Sequence, residues 1–564
     1  MSEYLLTFHE DSSANATLFK DGNILFAAAE ERFSRTKHQG GFPARCLRYI
    51  TDSLGIPLDR IDIIICGNKY HPLPRIAWDN FPSFEHPFLG VSQKISLFYQ
   101  HLIFRSPLIA SCVERFNRRQ LRRKFSKDVL LSDHHFAHAY SAYMTSGFED
   151  ALIITGDNYG DGISAAVFDG TENQCRRLYC SSALNSPGQF YGELAQLIGF
   201  HPLMAGKMTG LAARGDSSKA YGIVKDLFSL TKTKKDFCLP FFLFKSSRRG
   251  LYRALRRFSP EDIAAAAQKR FEDIMIEYVA EAVRCTHKSR VALAGGIFGN
   301  VLLNQRIAGL QEVDEIFIHP GMNDHGISLG VGLQYLAEQQ GRKPFRLSNI
   351  YFGPEYTAAE MESAIKRTGI PHTYEHGIEA KVAELLAQGH VVARFNGKLE
   401  YGPRALGNRS ILYQTTDPSV NEWLNRRLHR SEFMPFAPVT LSEHADRCYM
   451  KLDKCRYTAQ FMTISADCTD YMKKTSPGVV HIDGTARPQI LYRHANPSFY
   501  TILERYYQKT GIPSLINTSF NMHGEPIVTS PEDALRSFQQ GNLDYLAMGK
   551  YLLKHPSISE KQGM

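Results

Sequence analysis

The chain has 564 residues, 43% hydrophobic and 11% aromatic, with a formal net charge of +9. That is enough apolar material for large cores in two or more domains, and it excludes a disordered or fibrous polymer. No apolar run approaches the roughly 20 residues of a membrane span, the opening stretch lacks a signal-peptide pattern, and the ten cysteines form no CxxC pair, so the expected setting is the reducing cytoplasm.

In chain order, Tyr4 to Phe8 reads as a strand, and Ala16 to Phe19 and Ile24 to Ala28 flank the turn Lys20-Asp21-Gly22-Asn23 as a hairpin. A helix is expected over Pro43 to Leu54, a buried strand over Ile63 to Cys66, a strand over Val129 to Leu131, and a helix starting near Asp133, a natural N-cap. Ala151 to Thr155 begins a second round: a Gly- and Asp-rich turn runs through Gly162, and Ser164 to Phe168 returns as a strand. Val291 to Ala294 enters Gly295-Gly296 and a helix through Asn304, and Ile316 to His319 leads to a helix from Gly326. The repeated theme predicts a duplicated α/β fold of the actin-like kind. The polar stretch Gln339 to Ser348 is the expected linker, and the rest, with a strand at Val391 to Phe395 and a helix at Pro531 to Phe538, suffices for a second α/β domain.

His134 and His138, four apart in Asp133-His-His-Phe-Ala-His138, share one helix face and can grip one metal ion. Asp157 and Asp324 each follow an apolar strand, where strand ends deliver side chains to a cleft. Two imidazoles and two carboxylates suit Fe(II), Mn(II) or Zn(II) alike. The glycines of Ala294 to Asn300 allow backbone N–H groups close to phosphate or ribose, and Arg404 and Arg409 in Gly402 to Ser410 can hold phosphate bidentately. Two basic clusters stand out, one at Arg118, Arg119, Arg122, Arg123 and Lys124, the other at Lys245, Arg248, Arg249, Arg253, Arg256 and Arg257 after the apolar run 240–244. Solvated helix faces account for them, as do an anionic substrate or a membrane surface.

The run Tyr401 to Ser410 resembles the signature of the NodU/CmcH family of O-carbamoyltransferases. Further segments agree in family order: Glu30 to Phe33, His134 to His138, Asp157 to Gly162, Gly206 to Ala213, Ala294 to Asn304 and Asp324 to Gly330, then Pro435 to Pro438, Asp483 to Arg487 and Asn517 to Asn521. The resemblance implies an actin-like (ASKHA), TsaD-like transfer domain over 1–345 and a YrdC-like domain over 346–564 that makes carbamoyl adenylate. It implies ATP and Mg²⁺, a divalent metal (Fe²⁺ by resemblance), carbamoyl phosphate as donor, and a hydroxyl-bearing small molecule or glycan as acceptor. His134, His138, Asp157 and Asp324 would ligate the metal, with Lys207, Gly295, Gly296 and Asn300 against the nucleotide. Arg404, Arg409, Arg487, Asn517 and Thr518 would hold carbamoyl phosphate and ATP, and His9 would be the general base. Two departures are visible: extra residues between His9 and the Asp21-Gly22 turn, and Met434 where many members carry Arg. An actin-fold kinase would not explain the histidine pair or the second domain. A tRNA-modification role fits the basic balance, but the motifs favour free carbamoyl transfer without nucleic acid. The basic clusters favour an anionic acceptor.

Overall fold

The computed structural model describes residues 3–70, 98–201, 204–239, 250, 253–429 and 436–557. Lys245, Arg248, Arg249, the run 240–244 and Met434 lie outside them. The chain divides into two compact units, Met1–Glu30 with His38–Leu347, and Glu31–Lys37 with Ser348–Met564. The division after Leu347 falls within the stretch Gln339 to Ser348 where the boundary is expected, two residues past 345/346, and two details differ from that expectation. Phe345 N donates to Met144 O at 2.8 Å and Arg346 Nη2 to Glu315 Oε1 at 2.6 Å, so the polar stretch read as a linker is fastened to the first unit. Glu31–Lys37 belongs with the second, where Arg32 Nη2 donates to Gly402 O at 2.7 Å and Arg35 donates to the carbonyls of Pro526 and Ile527.

The first unit repeats one topology. Strands β1 (Tyr4–His9), β2 (Asn15–Lys20), β3 (Asn23–Ala29), β4 (Ile63–Cys66) and β5 (Leu130–Leu131) form a sheet of order β3-β2-β1-β4-β5. Strands β6 (Asp150–Gly160), β7 (Ile163–Thr171) and β8 (Gln174–Ser182), a small hairpin of β9 (Ser229–Leu230) and β10 (Phe237–Cys238), then β11 (Arg290–Ala294) and β12 (Glu315–Ile318) follow. The second sheet runs β8-β7-β6-β11-β12, so β6 repeats the place of β1. In both, three antiparallel strands are extended by two parallel ones. Asp21 and Gly22, at φ 49° and 73°, make the mirror-image turn that suits the twist of the first hairpin.

The Gly- and Asp-rich stretch after Thr155, expected as a turn, instead continues β6 to Gly160 with a register shift between Gly156 and Gly160. Only Asp161-Gly162 turns, at φ 50° and 84°. The helix expected over Pro43 to Leu54 forms as Ala44–Arg48 running into a π-helical turn, Tyr49–Ser53. Helix His134–Ser146 starts where Asp133 Oδ1 accepts from His135 N and Phe136 N at 2.9 and 3.0 Å. It packs against helix Ile327–Gln340, and the approach is so close that a Cβ at Gly330 would stand 1.9 Å from Ala137 O.

The second unit carries β13 (His372–Tyr374), β14 (Val392–Phe395), β15 (Arg409–Gln414) and β16 (Ala437–Leu441), a short pair β17 (Ala466–Asp467) and β18 (Thr485–Ala486), then β19 (Gln489–Leu491), β20 (Ser514–Ser519), β21 (Tyr545–Met548) and β22 (Tyr551–Lys554). Eight of them form one mixed sheet, β13-β22-β21-β14-β15-β20-β16-β19. Helices Ile378–Ala387 and Pro497–Thr510 pack together, burying Leu386, Phe499 and Leu503 in a core with Val392, Leu412 and Leu515 from the sheet. Among the described residues no helix is long and apolar enough to cross a membrane.

The helix crossing can be tested through its glycine. Gly330→Ala should lower stability in urea by about 1–3 kcal/mol, because the obstructing atom is backbone and cannot swing aside. Gly222→Ala, in helix Ser217–Val224 with open space around it, should be neutral or slightly stabilising.

Candidate functional site

Four side chains from three parts of the first unit meet with their ligand-capable atoms within 4.8 Å of one another: His134, His138, Asp157 and Asp324. The helical spacing sets the two rings 4.8 Å apart. Asp157 comes from the irregular end of β6, and Asp324 from the helical turn Asp324–Gly326 after β12. His138 Nε2 lies 3.2 Å from Asp157 Oδ2 and 3.7 Å from Asp324 Oδ1, and the corresponding distances for His134 Nε2 are 3.7 and 3.8 Å. His134 Nε2 is buried with no hydrogen-bond partner among the described residues. An orphaned ring nitrogen facing two carboxylates, beside a second imidazole, fits a divalent cation with mixed nitrogen and oxygen ligands.

Burial opposes ionisation of both acids, and Asp324 adds its own field at Asp157, yet the facing imidazoles keep Asp157 below the usual carboxylate range and Asp324 well below it. Burial likewise opposes a charge on His134, but the two carboxylates outweigh it and hold its pKa at about 9. His135 points elsewhere, its ring bonded to Thr155 Oγ1 at 2.8 Å and Ile163 O at 3.0 Å. Burial and the neighbouring imidazoles push its pKa down to about 3, so it stays a neutral packing residue.

His9, the last residue of β1, is fully buried with Nε2 3.8 Å from Asp324 Oδ2. Gly295, at φ 104°, lets the turn after β11 cross β6, because a Cβ there would meet Gly156 O at 2.0 Å. A Cβ at Gly296 would sit 3.0 Å from Asp157 Oδ1, so both glycines bring backbone over the carboxylate site. Asn300 has an internal duty: Oδ1 caps helix Val301–Ala308 through Leu303 N at 3.1 Å, and its amide pairs both ways with Gln268. Lys207 stands half-buried in helix Gly206–Ala212.

In the second unit the loop between β14 and β15 is pinned from several sides. Glu400 Oε1 accepts from Leu406 N, Asn408 N and Arg409 N at 3.0, 2.7 and 3.1 Å. Asn517 Nδ2 holds Ala405 O at 3.2 Å and Gln489 Oε1 at 2.6 Å, and Gln489 Nε2 holds Leu406 O at 3.0 Å. The segments carrying Arg404, Arg487 and Asn517-Thr518 are thereby tied into one region, with Arg404, Arg487 and Thr518 half-buried. Arg409 corrects the expectation of a phosphate ligand. It is 0% exposed, lies over the Phe395 ring, and directs Nη1 to Asn396 O and Asn408 O and Nη2 to Gly397 O and Pro354 O, so it is a strut beneath the loop. Burial pulls its pKa down to about 10.

Two family models match the sequence, one described as carbamoyltransferase N-terminus over residues 5–333 and one as carbamoyltransferase C-terminus over 383–555. The chain belongs to the carbamoyltransferase family. It is 30% identical to an uncharacterized protein of Methanocaldococcus jannaschii over 97% of this chain and 99% of that one. It is also 30% identical to nodulation protein NolNO of Sinorhizobium fredii, over 98% of this chain and 80% of that protein. Nodulation protein U of the same organism is 29% identical over 53% of this chain and 52% of its own length.

This carbamoyltransferase also uses residues that sequence reasoning passed over. Ser12 Oγ donates to Asp324 Oδ2 at 2.5 Å, and Asn15 Nδ2 to Asp324 O at 2.8 Å. Asp161 accepts from His134 N, Tyr70 N and Lys69 N at 2.8, 3.0 and 3.2 Å, while burial and the Asp133 charge raise its pKa to about 6. The only signal for Ser12 and Asn15 was a polar string directly after a buried strand, and Glu400 was one glutamate before a glycine-rich turn.

Two outcomes follow for purified protein. His138→Ala should lose bound metal, read by elemental analysis, while His135→Asn keeps it at a lower melting temperature. Arg409→Met should lower unfolding stability by about 1–3 kcal/mol through the carbonyls it leaves unpaired.

Proposed function

We propose that this enzyme transfers a carbamoyl group from carbamoyl phosphate to a hydroxyl, with carbamoyl adenylate as the carrier. The observation that carries the reading is that carbamoyltransferase family models cover most of both units, at 5–333 and 383–555. The first unit is read as an actin-like, TsaD-like transfer domain, supported by its repeated strand order. The second is read as a YrdC-like domain that makes the adenylate.

In the second unit, water, carbamoyl phosphate and ATP with Mg²⁺ become carbamoyl adenylate, phosphate and pyrophosphate. The mixed anhydride is the better donor, because AMP leaves a carbonyl more readily than doubly charged phosphate. Arg404 and Arg487 offset the phosphate charge, Thr518 offers a hydroxyl, and the pinned loop holds them in place before substrate arrives. Asn517 keeps that loop closed through Ala405 O.

In the first unit the acceptor oxygen bonds to the carbamoyl carbon, the bond to AMP breaks, and His9 takes the hydroxyl proton on a ring nitrogen. What a divalent cation held by His134, His138, Asp157 and Asp324 would supply is Lewis acidity toward the acyl oxygen. Iron(II) is favoured by family resemblance, and Mn(II) or Zn(II) suits the same donors. Ser12 and Asn15 orient Asp324, and Asp161 orients the start of the histidine helix. Gly295 and Gly296 leave room for the AMP moiety, and Lys207 meets its phosphate. The acceptor class proposed is an anionic glycan, glycolipid or natural product, supported by the net charge of +9 and the exposed Arg253, Arg256 and Arg257.

Incubation with ATP and carbamoyl phosphate, without acceptor, should release pyrophosphate. ADP in its place would mark a kinase and overturn the reading. Arg404→Ala or Arg487→Ala should cut pyrophosphate release by roughly 10²-fold or more with metal content unchanged. Release at the parent rate in either variant would displace the pocket.

A further inference from the structure

Helix Pro107–Phe125, in the first unit, is anchored by one face and open on the other. Ala110, Asn117, Leu121 and Phe125 are buried; Phe125 lies 5.3 Å from the Phe8 ring and 5.8 Å from that of Phe42, and Asn117 Nδ2 donates to Lys69 O at 2.9 Å. On the other side Leu108 is 81% exposed, Phe116 54% and Ile109 38%. Nine large apolar side chains are exposed among the described residues, and three of them fall within this one helix.

At 3.6 residues per turn, Leu108, Ile109 and Phe116 share an arc of about 120° with Arg115, Arg119 and Arg123. The helix carries six cations and one acid, Glu114, which pairs with Arg118 at 3.4 Å. Single exposed apolar side chains are ordinary, but a solvated basic face does not account for three of them grouped on one arc. A polyanion site would need the arginines but not the aliphatic end. Exposed apolar side chains flanked on the same arc by arginines suit a helix face seated at a lipid interface, where guanidinium groups reach to phosphate.

We propose that this helix seats the enzyme on an anionic lipid surface, with Leu108, Ile109 and Phe116 in the acyl boundary and Arg115, Arg119 and Arg123 on the headgroup phosphates. This does not depend on the catalytic reading, because no residue of the helix belongs to either site. A lipid-linked acceptor would be met at that surface, but the binding is a property of the helix alone.

The full chain should sediment with vesicles of phosphatidylglycerol and phosphatidylcholine, not with phosphatidylcholine alone, and salt should weaken the binding. The double variant R119Q/R123Q should lower the partition coefficient roughly twenty-five-fold. L108S/F116S should lower it roughly tenfold or more. Both should keep the parent melting temperature and pyrophosphate release, since the altered side chains are exposed. A polarity-sensitive fluorophore on the exposed Cys112, with Cys180, Cys238 and Cys285 changed to Ser, should shift to the blue on the anionic vesicles. Equal binding to phosphatidylcholine alone, no binding to either vesicle, or variants that partition like the parent would overturn the proposal. So would RNA binding that L108S/F116S leaves intact, which would make the face a polyanion site, or a parent dimer that L108S/F116S converts to monomer, which would make it a self-association surface.

Discussion

Two carboxylates, Asp157 and Asp324, are held in one half-buried space in the first unit, and the surrounding structure answers the electrostatic problem this creates. Like charges in a low dielectric raise each other's pKa and drive protonation unless positive charge faces them. Here two imidazole Nε2 atoms stand 3.2 to 3.8 Å away, His9 closes in on Asp324, and Ser12 donates to it. The carboxylates stay ionised, and the cluster is a ready set of ligands for a cation.

That arrangement requires backbone from four places to converge, which the repeated topology accomplishes. β1 and β6 hold the same place in their sheets, and their C-terminal ends deliver His9 and Asp157. The helix after the first sheet brings the two imidazoles, and the turn after β12 brings Asp324. Such close convergence leaves no space for side chains at the crossings, hence Gly330 against Ala137 and Gly295 against Gly156. Crevices outside the carboxyl ends of strands, where neighbouring connections diverge, are where α/β folds offer sites.

The second unit solves a different problem, holding a loop of flexible composition in one shape. Glu400 draws three backbone N–H groups to one oxygen, as an N-cap does in a helix. From below, the buried cations Arg394 and Arg409 take up its carbonyls, Arg394 at Gly407 O and Arg409 at Asn408 O, and burial pulls both pKa values down to about 10. Arg404, left half-buried on this support, can meet a ligand with little further ordering.

Local chemistry was legible in the chain itself. The hairpin at Asp21-Gly22, the Asp133 cap, and the strands at Ile63–Cys66 and Arg290–Ala294 follow from conformational preferences and hydrophobic period, which need only near neighbours. The histidine spacing and the aspartates after strands named four groups able to hold a metal. Which groups face inward, and toward what, depended on contacts far apart in sequence. The string His134-His135 looks alike residue by residue, yet Thr155 and Ile163 claim one ring and the carboxylates the other. Arg404 and Arg409 sit in one motif, and only the packing of Phe395 and four carbonyls makes the second a strut. Likewise Asn300 is taken by its helix and Gln268, and Glu31–Lys37 by the second unit. The sequence determined the elements and the chemical inventory, whereas tertiary structure decided each polar group's partner, because burial forces that choice and burial is a property of the whole fold.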